Sequence, residues 1–180
     1  MNFKAVSLLF CSFFFGSLIA DSAAASSDVE DAVLSLKTAF AKPIAPEVFE
    51  NGDHYTRRST VLNFTGDSRK FAYSAKSSST TYSKATNAAT SPVVIVSTSE
   101  ALFSNLKSVD RERSEFMGKV VDLDTLTILC GPEECFKSTG PDVVIGSGGI
   151  HGAQPIKFAD PETAAVAKQA IETLIRASRR

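Results

Sequence analysis

Apolar and polar positions divide the chain into a helix, a β-rich middle and a second helix. In DVEDAVLSLKTAFAK, residues 28–42, Val29, Ala32, Val33, Leu36 and Phe40 recur at helical spacing and share one face. Ser26 and Ser27 supply hydroxyl caps for a helix starting at Asp28. Asp28, Glu30 and Asp31 lie in its first turn and Lys37 and Lys42 near its end, as the helix dipole favours. Pro43 and Pro46 terminate it, and residues 43–53 read as a linker ending on the turn formers Asn51-Gly52-Asp53.

The middle of the chain carries strand patterns. HYTRRSTVLNF, residues 54–64, alternates unevenly with Tyr55, Val61, Leu62 and Phe64 as anchors; RKFAYSA, residues 69–75, alternates cleanly and places Phe71 and Tyr73 on one face. With the turn Thr65-Gly66-Asp67 between them, the two predict a hairpin. The Ser- and Thr-rich run 76–91 is compatible with a loop or with a solvated strand carrying Tyr82. Pro92 opens the apolar strand Val93–Val96. Ser99–Leu106 reads as one or two helical turns with Ala101, Leu102 and Leu106 inward, and Asp110–Glu115 as a surface loop or strand end. Gly118–Cys130 contains two β-prone runs split by Asp122-Leu123-Asp124. Shorter strands are expected at Cys135-Phe136, Asp142–Ile145 and Pro155–Phe158.

The C-terminal helix has the clearest pattern. Asp160 is an N-cap, Pro161 sits at the first helical position, and Glu162 follows. Ala164, Ala167, Ile171, Leu174, Ile175 and Ser178 form one stripe, with Lys168, Glu172 and Arg176 facing away and Glu172–Arg176 as an i,i+4 pair. Ile171, Leu174 and Ile175 are expected to pack on the sheet beside Phe71 and Val94.

The first 25 residues change the picture of where this domain works. Lys4, an apolar run from Ala5 to Ala20 and the small-residue site Ala23-Ala24-Ala25 make a secretory signal pattern with cleavage after Ala25. The apolar run, about 16 residues, is short of the ~20 that a spanning helix needs. No basic cluster follows it; Asp21 and Asp28 do. Cys11 lies inside the apolar run, where it makes no lipoprotein acceptor. Removing residues 1–25 leaves residues 26–180, enough for one exported domain with a core of its own. The expected destination is the periplasm or the exterior.

Composition narrows the partners. The chain has 19 basic and 20 acidic residues, a formal net charge of −1. Such a balance gives no electrostatic footprint for nucleic acid or an anionic membrane. The pairs Arg57-Arg58 and Arg179-Arg180 read as a solvated strand end and a tail. Once Cys11 leaves with the leader, Cys130 and Cys135 remain, separated by the turn formers Gly131-Pro132-Glu133-Glu134. An even pair in an exported domain predicts a disulfide. Thiol oxidoreductases use C-x-x-C, which this is not.

No motif supplies a catalytic signature. GSGGIHG, with Gly146, Gly148, Gly149 and Gly152, follows a strand-like run, but Pro155 and another β-like run follow it where a phosphate loop needs a helix. It reads as a hairpin loop. His54 and His151 do not combine with the two cysteines at a zinc spacing. No G-x-S-x-G elbow is present. Asn63-Phe64-Thr65 matches the glycosylation acceptor, which carries meaning only in a eukaryotic secretory host. No catalytic, cofactor or metal residue is therefore assigned.

In the last third, VVDLDTLTILCGPEECFKS, a loop, IKFAD and then PETAAVAKQAIETLI follow one another. This order of about 60 residues resembles the closing half of a pleckstrin-homology-like barrel, where a C-terminal helix plugs a bent sheet. The resemblance implies a binding or scaffolding platform. The basic phosphoinositide loop of that family's membrane-binding members is missing here. A cystatin-like cone, a helix cradled by a curved sheet, competes with it.

The expectation is an α+β domain: a curved antiparallel sheet or partly open barrel with an amphipathic helix at each end. The leading function is non-catalytic, binding a protein partner or a small apolar ligand. The alternative is a small secreted hydrolase or isomerase working on the concave face of the sheet, with His54 or His151 as base. A third reading is a structural domain of a larger assembly.

Overall fold

Strands β2 (His54–Phe64) and β3 (Lys70–Ser83) form the long central hairpin of the molecule. They belong to a computed structural model that describes residues 16–131, 134–140 and 150–180, with side chains from Ser26 onward except those of Phe116, Ile150 and His151. The turn that joins them is tight. A Cβ on Gly66 would meet the Lys70 carbonyl oxygen at 2.2 Å, so only glycine fits. Asp67 holds this turn by accepting the backbone N–H groups of Arg69 and Lys70 at 2.7 and 2.9 Å, which keeps its carboxyl below the usual carboxylate range.

Around the hairpin lie β1 (Glu47–Asn51), β4 (Val93–Leu102), β7 (Phe136–Thr139) and β8 (Ile150–His151), giving a six-stranded antiparallel sheet A in the order β1-β2-β3-β4-β7-β8. A three-stranded sheet B, order β5-β6-β9, is built from β5 (Leu106–Phe116), β6 (Lys119–Cys130) and β9 (Ala153–Lys157). Helices α1 (Gly16–Ala41) and α2 (Pro161–Ala177) pack on each other; α1 also contacts β2, and α2 contacts β5 and β6. The fold is α+β with helices at both ends of the described chain, and its sheets are not closed into a barrel.

Aromatic rings fill the junction. Phe40 of α1 sits 5.2 to 6.0 Å, centroid to centroid, from Phe64, Phe71, Tyr73 and Phe158. Phe71 reaches on to Phe103 and Phe136 at 5.9 and 6.2 Å. Tilted and edge-on geometries predominate, as ring quadrupoles favour. Ala164, Ala167, Ile171 and Leu174 of α2 are fully buried with Leu126 and Ile128 of β6 in the same core. The N-cap of α2 matches its expectation: Asp160 accepts both the backbone N–H and the hydroxyl of Thr163 at 2.8 Å.

Several segments differ from their sequence patterns. Helix α1 begins at Gly16, so Ser26 and Ser27 lie inside it and cap nothing; the alanine-rich stretch before them has high helix propensity. Its buried positions are Ala32, Leu36, Ala39 and Phe40, with Val29 and Val33 at the margin. The supposed linker 43–53 contains β1, which hairpins to β2 through Gly52-Asp53. The Ser/Thr run is strand as far as Ser83, where Tyr82 stacks on Tyr55 at 4.9 Å. Ser99–Leu102 is strand, not helix, because β3 offers a continuous ladder through Lys70↔Leu102; only a 3-10 turn, Phe103–Asn105, follows. Ala101 and Leu106 are buried as expected, but Leu102 is 49% exposed.

Asp110–Glu115 is strand within β5, and β6 is continuous. The acidic split at Asp122–Asp124 is instead a register shift opposite Arg111 and Arg113, both of which pair with Asp122 at 3.2 and 3.1 Å. Val94 is 52% exposed on the outer face of sheet A and does not meet α2. The i,i+4 ion pair on α2 is the half-buried Lys168–Glu172, while Arg176 donates to Thr173. The expected strand Asp142–Ile145, residues 1–15 of the leader and Gly146, Gly148 and Gly149 lie outside the described residues.

Candidate binding cleft

The inner face of sheet A changes character along its strands. On β3 every second residue from Phe71 points to that face: Phe71 and Tyr73, then Ala75 and Ser77. The register aligns Leu62, Ala75 and Ser97 in one row, and Thr60, Ser77 and Ile95 in the next. Large rings therefore fill the half of the face beneath the helices, and small side chains floor the other half. Opposite that floor lies β9, the edge of sheet B, with Gln154, Pro155, Ile156 and Lys157. The space between them is a cavity of about 220 Å³. Ile44 and Ala45, in the connection from α1 to β1, form part of its wall.

One end is closed by a polar seam. Ser138 of β7 donates to Ser99 of β4 at 3.2 Å, and Ser99 donates to the side-chain Oε1 of Gln154 in β9 at 3.1 Å. Ser99 and Gln154 are both buried. Each hydroxyl has a defined partner, so the seam joins the two sheets without stranding a polar group. Pro155 suits its edge position, since it has no N–H to donate there.

At the other end the residues are charged. Glu47 of β1 and Lys157 of β9 form an ion pair at 2.7 Å, which raises the Lys157 pKa above its ordinary value. Arg58 also lines the cavity. Its guanidinium lies over the Phe49 ring, 4.8 Å from the centroid. The Arg58 Nε atom is buried and has no hydrogen-bond partner.

The sequence-derived candidates fall elsewhere. The Cys130 and Cys135 sulfurs are 2.07 Å apart, at disulfide distance, with Cα atoms 5.7 Å apart. Cys130 ends β6 of sheet B and Cys135 precedes β7 of sheet A, so the pair stands at the crossover between the sheets. His54 is exposed at the start of β2 and is not among the cavity-lining residues; His151 lies in β8. Gly152 links β8 and β9, and its carbonyl accepts the Cys130 N–H at 2.9 Å. No local sequence motif marks the cleft residues themselves. From sequence the pair Arg57-Arg58 reads as a solvated strand end, yet strand alternation sends Arg57 outward and Arg58 to the cleft. The available signal was the fall in side-chain size along one face from Phe71 to Ser77.

No protein-family model, no curated protein and no solved structure matches this chain.

Proposed function

We propose that the chain is exported, is processed after Ala25, and binds a small, largely apolar ligand in the cleft between sheet A and β9. The observation that carries the binding reading is the 220 Å³ cavity, walled by Ile44, Leu62, Tyr73, Ile95 and Ile156 over a floor of Ala75, Ser77 and Ser97. A cavity near 150 Å³ accepts benzene, and drug-sized molecules need roughly 300 Å³ or more. The fitting ligand is therefore small, such as a short alkyl chain. Its polar seam at one end and charged residues at the other orient such a molecule along the strands.

Export rests on the leader pattern and on the disulfide-distance cysteine pair, which suits an oxidising compartment. Among the described residues no helix is long and apolar enough to cross a membrane. The core residues Ala32, Leu36, Ala39 and Phe40 of α1 all follow the Ala25 site in the chain.

Two experiments test the proposal. Intact mass of the protein from its native compartment should correspond to a start at Ser26; a mass retaining Met1–Ala20 contradicts export processing. Calorimetric titration with hexanol should show saturable binding that Ser97→Phe abolishes by filling the floor. Equal binding by the native chain and the filled variant, or none by either, contradicts the cleft as the site.

A further inference from the structure

We infer that the cleft's ligand carries an anionic head group, a carboxylate in the simplest case, which Arg58 holds at the charged end. This inference rests on the cleft reading above and deepens it by naming the ligand class: short monocarboxylic acids with an apolar tail.

Arg58 Nε is buried without an acceptor. A buried N–H without a partner is unfavourable, so an acceptor that reaches it is favoured there. One candidate within the fold is Glu47, which sits directly opposite Arg58 in the β1–β2 register. Its carboxylate is engaged 2.7 Å from Lys157 Nζ. Glu47 is the one acidic residue among the described cavity-lining residues, whereas Arg58 and Lys157 are both cationic. The lining thus carries two cationic side chains and one acidic one, and that one is engaged by Lys157.

The guanidinium is also preorganised. Its Cζ lies 4.8 Å from the centroid of the Phe49 ring, a contact that limits where the guanidinium can move. Arginine's planar fork matches a carboxylate through two parallel N–H···O bonds, Nε–H being one of the usual donors. The register places Thr60, Ser77 and Ile95 in the row next to Arg58, and Leu62, Ala75 and Ser97 beyond it. A head group at Arg58 would lay its tail along that floor toward Tyr73. An isosteric primary amide would fill the same floor but offer the guanidinium one uncharged acceptor oxygen in place of two charged ones.

The test compares butanoate, hexanoate and octanoate with their primary amides, by calorimetry at neutral pH, on the native chain, Arg58→Gln and Arg58→Lys. The native chain should bind the best acid at least about tenfold more tightly than its amide, the discrimination expected of a charge-assisted bidentate contact. Arg58→Gln should bring the ratio close to one, chiefly through loss of affinity for the acid. Arg58→Lys should retain part of the preference. Thermal melts of both variants establish that they are folded. Equal affinity of the native chain for acid and amide overturns the anionic head group while leaving the cleft reading intact. A preference that survives Arg58→Gln overturns the assignment to Arg58. Binding of neither acid nor amide overturns both readings together.

Discussion

The Glu47 carboxylate of sheet A lies 2.7 Å from Lys157 Nζ of sheet B. This one ion pair connects the edge strands β1 and β9 beside the cleft, at the end remote from the Ser138–Ser99–Gln154 seam. Both partners are partly solvated, so the pair contributes little to stability, within about 1 kcal/mol. Its larger effect is to occupy the carboxylate that faces Arg58. Glu47→Gln should therefore leave a denaturant midpoint almost unchanged while raising the affinity for hexanoate relative to hexanamide. Parallel denaturation and calorimetry check this; a weakened acid preference contradicts it.

A second ion pair joins the helices. Lys42, just past the end of α1, is 2.7 Å from the N-cap Asp160 of α2. That contact first, and then the Thr163 N–H and hydroxyl, hold the Asp160 carboxyl well below the usual aspartate range. A pKa lowered by folding stabilises the native state above the unfolded value, near pH 4, and the contribution is lost as pH falls through the folded value. Melting temperature should accordingly drop on acidification below about pH 4. Asp160→Asn should lower it at neutral pH and flatten that part of the acid limb. An unchanged acid limb in the variant contradicts the assignment.

Burial separates two apolar positions that sequence pattern treats alike. Leu174 is fully buried in α2, whereas Val94 is 52% exposed on the outer face of sheet A. Leu174→Asp should destabilise by several kcal/mol, because it buries an unpaired charge. Val94→Asp should stay within about 0.5 kcal/mol. Comparable denaturant midpoints for the two variants contradict the packing described.

The cysteine pair closes a short loop, so its contribution is modest. Replacing both Cys130 and Cys135 with Ser should cost about 2 kcal/mol without abolishing folding. Thiol labelling of the denatured, unreduced mature protein should find no reactive group. Two labelled thiols contradict an oxidised pair.

The elements with strong local signals were legible in the sequence. Asp160-Pro161-Glu162 announces the start of α2, and the stripe from Ala164 to Ile175 gives its buried face. β2 and the start of β3 are legible because Leu62, Phe64, Phe71 and Tyr73 mark the core side of a tight hairpin. Ser99–Leu102 was not, since Glu, Ala and Leu suit a helix and only the distant ladder with β3 makes them strand. β1 was hidden because Glu47, Val48 and Phe49 form an edge strand with little burial. The cleft depends on Ala75, Ser77 and Ser97 aligning across strands and on β9 facing them from another sheet. Neither the register nor the second sheet is written in local spacing. The same holds for Arg58, whose position is defined by Glu47 and Phe49 rather than by its neighbour Arg57.

The most direct test of the central claim is to locate a bound ligand on the protein. Backbone amide NMR spectra of the mature chain, recorded during titration with hexanoate, should show saturable shifts concentrated at Arg58, Ala75, Ser97 and Ile156, with the outer-face residues Val61 and Val96 shifting far less. Shifts confined to the outer face, or no saturable shifts at all, would contradict a ligand-binding cleft between sheet A and β9.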